Sequence, residues 1–432
     1  MGKNVFSMKG YLKLFLLLLS VVSISLSIIY RNDLHAFFTN ETEQLPRSKI
    51  TKTEIAVALA EQGEFHKFPT EVEVPIKEDK TKLIVQYTFD PQLQESVSDL
   101  IRLYGPDYGA MVVLDASTGR VLSMVSYSKH TDNKENLAVR ATFPSASVFK
   151  LVTAAAAISE RNFTANTVIS FNGGNHTLYR RNVFGNNVTR WTRYMTLRDA
   201  FAHSVNTVFG KIGAYSVGAY DLREYASRFG FNRSINADIP IQESTANISD
   251  DPWSLAESAS GYTKDTKMSP LQGALMAAAI VNNGVMMEPY VVQSAHLSDG
   301  TTVYRAEPRI ATTSVTPDTA SEIRELMRET IINGTSRGSF RGFYKGPFAF
   351  LNIGGKTGSL SGDSPPGKYD WFVGFAEGGS QKIAIAALSI HGKYWRVKSS
   401  FLARKTIEAY FKDKFHKTHI AAKPYGEASD NI

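Results

Sequence analysis

The chain of 432 residues contains no cysteine. Thiol catalysis, disulfide bonds and cysteine-ligated metals are therefore excluded. Its nine histidines show none of the spacings typical of metal sites, such as H-E-x-x-H. His416 and His419 lie in a polar C-terminal stretch, where histidines are usually solvated. We predict a protein with no metal and no other cofactor.

Acidic residues are fewer than basic ones, 41 against 48, which gives a net charge of +7. A positive protein suits anionic partners, and here the charges are dispersed along the sequence. Anionic lipid headgroups or other anionic polymers fit this distribution. We therefore expect no nucleic-acid partner.

Only one apolar run is long enough to cross a membrane, LFLLLLSVVSISLSIIY at residues 14–30. Three lysines precede it: Lys3, Lys9 and Lys13. Positive residues before the run favour a cytoplasmic N-terminus, with the rest of the chain outside the plasma membrane. A cleaved signal peptide is the alternative, but its only weak cleavage signal, Ser25-Leu26-Ser27, lies inside the run. We predict an uncleaved anchor over residues 1–30.

The remaining chain divides by composition. Residues 31–81 are predicted as a juxtamembrane linker, with a short amphipathic helix in SKITKTEIAVALAEQG and a charged, proline-punctuated stretch after it. Residues 82–415 have room for one large domain. Residues 416–432 read as a polar tail.

A serine and a lysine three residues apart begin a helical sequence. Ser147 lies just after a proline, and Lys150 leads into LVTAAAA. Residues three apart share a helix face, so the Lys150 amine can reach the Ser147 hydroxyl. A desolvated amine has a lowered pKa and can activate a nucleophile, although a helix cap beside a surface lysine remains the alternative. The same pattern at Ser126 and Lys129 ends in turn residues that would not hold the pair together.

Serine and asparagine two residues apart occur four times, and only Ser204 and Asn206 lie in a strongly structured segment, MTLRDAFAHSVNTVFGKIG. The hydroxyl could relay a proton to a leaving group, and the amide could hold a peptide carbonyl. Taken alone, the pair is more typical of a helix cap or an interhelical polar contact.

Lys356-Thr357-Gly358-Ser359 precedes two strand-like stretches, KYDWFVGFAEG and KIAIAALSIHG. A strand edge with this sequence would offer a cation and two hydroxyls to a carboxylate. Gly358 permits close backbone approach, and the Ser359 amide could donate to an oxyanion. An exposed glycine turn is the alternative for the tripeptide alone.

The three motifs, in this order and with these flanks, resemble those of the penicillin-binding protein transpeptidases. This serine D,D-peptidase superfamily also includes the serine β-lactamases. The resemblance runs from about Leu83 to Phe415, and its most specific segments are YGAMVVLDASTGRVLSMVSYS, LRDAFAHSVNTVF and GGKTGSLSGDSPPGKYDWFVGFA. It implies a bacterial peptidoglycan D,D-transpeptidase that is acylated by D-Ala-D-Ala stem peptides and by β-lactam antibiotics. It also implies partners in a cell-wall synthesis complex.

By this resemblance Ser147 is the acylated nucleophile and Lys150 is its general base. Ser204 would shuttle the proton, with Lys356 polarising it and anchoring the substrate. Asn206 would bind the substrate backbone, and Thr357 and Ser359 would bind its terminal carboxylate. Gly358, between them, completes the predicted substrate-binding residues by allowing close backbone approach.

Strand signals occur towards both ends of the chain, at Ala110–Leu114, Val121–Ser126, the Lys356 segment, Trp371–Ala376 and Ile383–Ile390. The middle, from Ser147 to about Gly284, is mainly helical. Helices are also predicted after Thr316-Pro317 and from about Ser399. We predict an α/β fold of the α+β type. Its antiparallel sheet is built from both ends of the chain and flanked by helices, with an all-helical subdomain inserted, as in the D,D-peptidase and β-lactamase folds.

Other activities remain open. Glu243 and Asn247 form an E-x-x-x-N in roughly the chain order where some serine β-lactamases carry a deacylating glutamate. Their segment reads as a strand end and turn, however, and the spacing from Asn206 to Lys356 resembles transpeptidases better. A D,D-carboxypeptidase or endopeptidase would use the same motifs with water as the acceptor. A non-catalytic scaffold or β-lactam sensor is the alternative of another class.

Overall fold

The described chain has strand-rich ends and a mainly helical middle. The first part contains α1 (Lys52–Glu61), β1 (Glu71–Ile76), β2 (Asp79–Tyr87), α2 (Pro91–Tyr104), β3 (Tyr108–Asp115) and β4 (Val121–Ser128). The middle contains β5 (Phe143–Pro144), α3 (Lys150–Arg161), β6 (Val168–Phe171), α4 (Arg180–Phe184), β7 (Arg193–Thr196), α5 (Leu197–Ala202), α6 (Asn206–Lys211), α7 (Gly218–Arg228), α8 (Pro252–Ser260), β8 (Lys267–Met268) and α9 (Pro270–Val281). The last part contains β9 (Val285–Met287), β10 (Val292–His296), β11 (Thr302–Arg305), β12 (Ile310–Thr313), α10 (Pro317–Ile332), β13 (Asn352–Asp363), β14 (Pro366–Gly378), β15 (Gln381–His391) and α11 (Ser399–Ala421).

The computed structural model describes residues 50–421, except 62–67, 77–78, 131–134 and 186. The predicted anchor therefore lies outside the described residues. Among the helices within the described ranges, none combines the length and the apolar composition that crossing a membrane requires.

Five strands from both ends of the chain form the central antiparallel sheet, in the order β13-β14-β15-β3-β4. Both faces are covered, so successive residues of β15 are buried on either side instead of alternating with exposed ones. On one face, α2 and α11 pack through Val97, Ile101, Leu402 and Ile407 onto Ile385 and its neighbours. This double covering explains why the C-terminal strands read as nearly continuous apolar runs.

Helix α9 covers the other face of the sheet. All its residues are buried, which its composition permits because PLQGALMAAAIV is apolar on nearly every side. Gly273 brings the helix close to the sheet: a Cβ at this position would lie 2.9 Å from Val373 Cγ2 and 3.4 Å from Ala386 Cβ. Helices α3 and α5 to α8 complete the helical part of the fold. The seam between this helical part and β13 is the kind of cleft in which ligand-binding and active sites usually lie.

A second sheet has the order β1-β2-β10-β11 and includes residues that the sequence predicts as linker. Val72 and Val74 are buried while Glu71 and Glu73 are exposed, the alternation of a strand with one covered face. An alternation of only four residues, among prolines and charged residues, is too short to predict a strand from the sequence without its partner strand. The helix expected in this stretch is α1, and the boundary at residue 82 stays a prediction.

The predicted fold class is confirmed. The expected strands correspond to β3, β4, β13, β14 and β15, and the sheet combines both ends of the chain around a mainly helical middle. The helix expected after Thr316 is α10, and the Thr316 side chain accepts a hydrogen bond from the Thr319 amide as its N-cap.

Replacing Ile385 by alanine should lower the free energy of unfolding by about 2–5 kcal/mol, because the side chain is buried in the centre of the sheet. The control is Ile310→Ala, since Ile310 on β12 is 63% exposed and its loss should change the value by less than about 0.5 kcal/mol. Denaturant unfolding of the two variants checks this. Equal effects would contradict the placement of β15 between two helical layers.

Candidate active site

Ser147 lies in a single 3-10 turn, Ala146–Phe149, immediately before α3. The turn is held from behind by Gly261, the C-cap of α8. A Cβ on Gly261 would come within 2.0 Å of the Ala146 carbonyl oxygen, and its φ of +66° is a conformation that favours glycine. Ala146 itself has a φ of +49°. The local backbone is therefore fixed by close packing rather than by helix propensity.

The Lys150 amine lies 2.8 Å from Ser147 Oγ. It is completely buried and also contacts two oxygens, Asn206 Oδ1 at 2.7 Å and the Ser260 carbonyl at 2.5 Å. Burial lowers the pKa of Lys150 well below its ordinary value, and the second amine at Lys356 lowers it further.

Ser204 and Asn206 lie at the break between α5 and α6. Ser204 is buried and has a φ of +56°, which turns the chain between the two short helices. Asn206 donates from its backbone amide to the Asn175 carbonyl at 2.8 Å and from its side chain to the His176 carbonyl at 2.8 Å. Its side-chain oxygen is thereby aimed at Lys150.

Lys356 on β13 is buried and its amine donates to Ser204 Oγ at 2.9 Å and to the Thr357 carbonyl at 2.9 Å. Burial lowers the pKa of Lys356 to about 7. No carboxylate among the described residues pairs with Lys356 or Lys150. Burial of two amines without a counter-ion favours the neutral form of each.

The three residues after Lys356 line the exposed edge of the sheet. Thr357 Oγ1 lies 2.5 Å from Thr335 Oγ1, and Ser359 donates to the Tyr369 carbonyl at 3.3 Å. Gly358 lets β13 reach the 3-10 turn, since a Cβ there would lie 3.1 Å from Val148 Cγ2 and 3.2 Å from the Ser145 carbonyl. The strand and the turn that holds Ser147 are thus in contact.

All eight predicted site residues lie in this one seam, although their three motifs are up to 212 positions apart in the sequence. Three contributors were missed. The Ser260 carbonyl contacts Lys150, the Thr335 hydroxyl contacts Thr357, and the His176 carbonyl holds Asn206. Two of these act through the backbone, which carries no residue-type signal. The pKa of the His176 ring is lowered by burial and then by the two lysines.

The competing patterns lie elsewhere. Ser126 Oγ donates to the Glu135 carbonyl and accepts from the Leu137 amide, with no hydrogen bond to Lys129 among the described residues. Glu243 is exposed, and in the same ranges no hydrogen bond joins it to Ser147 or Lys150. Over these described ranges, no cluster of three acidic or histidine residues could hold a metal ion.

The family model for the penicillin-binding protein transpeptidase domain matches residues 109–408. The chain is similar to the peptidoglycan D,D-transpeptidase PbpA of Mycolicibacterium smegmatis, with 30% identity over 342 residues, 70% of this chain and 66% of that protein. Among solved structures it is similar to PBPA from Mycobacterium tuberculosis, with a TM-score of 0.63 and 26% identity over 76% of this chain and 80% of that one. An imipenem acyl-enzyme complex of penicillin-binding protein A from M. tuberculosis gives a TM-score of 0.60 and 28% identity, covering 76% of this chain and 80% of that one.

The matched domain covers well over half of the sequence, so the chain belongs to the penicillin-binding protein transpeptidase family. Its class is that of the serine D,D-transpeptidases of peptidoglycan synthesis, and the expected family is confirmed. The chain spans about two thirds of the length of the PbpA proteins that it matches.

The buried Lys356 should make stability depend on pH. Its folded-state pKa is about 7, against roughly 10.4 for a lysine in an unfolded chain. Between these pH values the unfolded state binds more protons, so the free energy of unfolding rises as the pH rises. Lys356→Met should reduce that rise by an amount on the order of a few kcal/mol.

Unfolding measured between pH 7 and 10 checks this, with Lys345→Met, an exposed lysine, as the control. The control should keep the slope of the wild type. An unchanged slope in Lys356→Met would mean that Lys356 is hydrated and ordinarily charged in the folded protein.

Proposed function

We propose that the chain cross-links peptidoglycan by forming an acyl-enzyme on Ser147, with Lys150 as the general base. The observation that supports this most directly is the 2.8 Å contact between the Ser147 hydroxyl and a buried amine that has no carboxylate partner among the described residues. A buried amine with a depressed pKa can take a hydroxyl proton near neutral pH.

The three contacts of Lys150 fit a neutral amine. Such an amine has two N–H bonds and one lone pair. The N–H bonds point to Asn206 Oδ1 and the Ser260 carbonyl, neither of which can donate a proton to the amine. The lone pair is then directed at the Ser147 hydroxyl. Lys150 can accept that proton as Ser147 Oγ bonds to the carbonyl carbon of the substrate.

Ser204 and Lys356 would complete the proton transfer. As the peptide C–N bond breaks, the leaving amine needs a proton, and Ser204 would pass it on from Lys150. Lys356 donates to Ser204 Oγ at 2.9 Å and would polarise this hydroxyl. An acceptor amine then attacks the ester, gives its proton back through the same groups and releases Ser147.

Substrate contacts are proposed at the exposed edge of β13. Thr357 and Ser359 would bind the terminal carboxylate of a D-Ala-D-Ala stem peptide, Gly358 would allow its close approach to the strand, and Asn206 would bind its backbone. The backbone amides of Ser147 and Ser359 would stabilise the developing oxyanion. No metal or cofactor has a part in this scheme.

The same site would be acylated by β-lactams, as supported by the similar imipenem acyl-enzyme complex of the M. tuberculosis protein. We further propose that residues 1–30 anchor the chain in the plasma membrane, that residues 31–81 connect the anchor to the catalytic domain at 82–415, and that 416–432 form a tail. The apolar run and the lysines before it support an extracytoplasmic domain, where proteins of a cell-wall synthesis complex would be its neighbours.

Ser147→Ala should form no covalent adduct with a fluorescent penicillin, because the hydroxyl that attacks the β-lactam carbonyl is gone. Gel fluorescence and intact mass over a time course measure this on the full chain. Ser126→Ala is the matched control, since it alters the other S-x-x-K pattern, and it should be acylated like the wild type. Labelling of Ser147→Ala, or no labelling of folded wild type, would contradict the assignment.

The lifetime of the adduct tests the activities that share this nucleophile. Slow loss over hours is expected of a transpeptidase, whereas loss within seconds would indicate a β-lactamase and make Glu243 the next residue to replace. The acyl product formed from a stem peptide, with an amine acceptor present, separates these activities: a peptide joined to the acceptor indicates cross-linking, whereas a hydrolysed peptide with a free carboxylate indicates carboxypeptidase or endopeptidase activity. Absence of any adduct on folded protein would leave the non-catalytic scaffold.

A further inference from the structure

Charge is not dispersed everywhere along the chain, because residues 161–198 and residues 378–407 each contain six basic residues and no acidic one, and only the first stretch leads into the candidate site. Between Glu160 and Asp199 there are six arginines and no acidic residue. Most of this stretch lies between β6 and β7, which pair in antiparallel register. Residues 168–196 are here called the basic arm. The net charge of the full sequence does not reveal the basic arm, because acidic residues elsewhere compensate for its positive charge.

The basic arm exposes large rings beside its arginines. Trp191 is 71% exposed and Tyr194 is 63% exposed, although rings of this size are usually covered. The Arg190 guanidinium lies over the Trp191 ring at 4.7 Å, so charge and ring are presented together at the surface.

Three arginines of the basic arm have no acidic partner. Within the described residues no carboxylate forms an ion pair with Arg181, Arg190 or Arg193, although Arg161 and Arg198 on either side of the arm are paired with Asp221 and Glu325. Exposed guanidinium groups without an internal carboxylate partner are available to carboxylates from outside.

The base of the basic arm is part of the candidate active site. Arg193 donates to Asn175 Oδ1 at 2.9 Å, and the carbonyls of Asn175 and His176 fix Asn206. Lys211 at the end of α6 donates to the Ser170 carbonyl at 2.9 Å. A ligand that lies along the arm therefore continues directly to the seam that holds Ser147.

We propose that the basic arm binds a carboxylate-bearing glycan strand of peptidoglycan beside the stem peptide that reacts at Ser147. This rests on the proposed function, which it extends from the reacting peptide to the polymer. The arginines would pair with stem-peptide carboxylates, and the exposed rings would pack on sugar faces. Continuity with the site favours the substrate polymer over an anionic lipid surface, which would require no connection to Asn206.

The test compares Arg190→Ala/Trp191→Ala with a matched control in the full chain. Lys393→Ala/Tyr394→Ala serves as the control because Lys393 lies over the Tyr394 ring at 5.3 Å, and Tyr394 is 62% exposed outside the arm. Each variant loses one positive charge and one exposed ring. Binding is measured by co-sedimentation with purified insoluble peptidoglycan at two salt concentrations.

The arm variant should bind peptidoglycan about tenfold more weakly than the wild type, and the control should stay within about twofold. The difference should shrink at high salt, because exposed charges are screened. Equal binding by the arm variant and the control would overturn the proposal.

Two competitors separate the possible occupants. Soluble peptidoglycan fragments should release the wild type from the insoluble polymer, whereas dihexanoyl phosphatidylglycerol at the same anionic charge should not. Release by the lipid alone would assign the basic arm to membrane headgroups and overturn the proposal.

The rate of acylation by a fluorescent penicillin is measured on the same samples. It should be equal in all three proteins, since the substituted residues are not among the eight residues of the candidate site. A wild type that binds peptidoglycan through the basic arm but is never acylated would contradict the proposed function. The assignment of peptidoglycan as the ligand of the arm would still hold. Slow acylation of the arm variant alone would show that the substitution disturbs Asn206, and would overturn a purely polymer-binding role.

Discussion

Two lysine side chains are buried at one seam without a counter-ion among the described residues, and the local structure is arranged around this constraint. Lys150 comes from the helical part and Lys356 from the edge of the sheet, so neither half of the molecule contains the pair alone. A buried ammonium group is costly, and a second one nearby makes it more so. The fold compensates with neutral oxygens: two hydroxyls, one amide and two backbone carbonyls.

Close backbone approach is the means by which these oxygens are placed. Gly261 and Gly358 hold the 3-10 turn of Ser147 from opposite sides, one from the end of α8 and the other from β13. Ala146 and Ser204 adopt positive φ angles, which are uncommon for residues other than glycine. Such conformations persist only where the surrounding packing determines them, and they are common at functional sites.

Much of the fold could be predicted because its signals are local. Long apolar runs predict β14 and β15, and the Thr316-Pro317 start predicts α10 with its cap. The contact between Ser147 and Lys150 follows from a spacing of three residues. Strands β1 and β2 could not be predicted in the same way, since their short alternation acquires meaning only beside β10.

Contacts made by the backbone could not be predicted either. The Ser260 and His176 carbonyls would be present whatever the side chains were, so no residue type marks them. The basic arm was overlooked for a different reason: averaging charge over 432 residues conceals a segment that has only one sign. Its exposed rings became recognisable when the packing showed which aromatic residues the core had left uncovered.

The sheet order also has a consequence for how the molecule is made. β3 pairs with β15, strands separated by more than 260 positions of sequence, and β13 and β14 join only beyond them. Pairings between such distant segments have a high contact order and form late. During synthesis from the N-terminus, Ser147 and Lys150 are thus made before the strand that will lie beside them, β13. The seam is complete only once β13, β14 and β15 have paired with β3 and Lys356 lies beside Ser204.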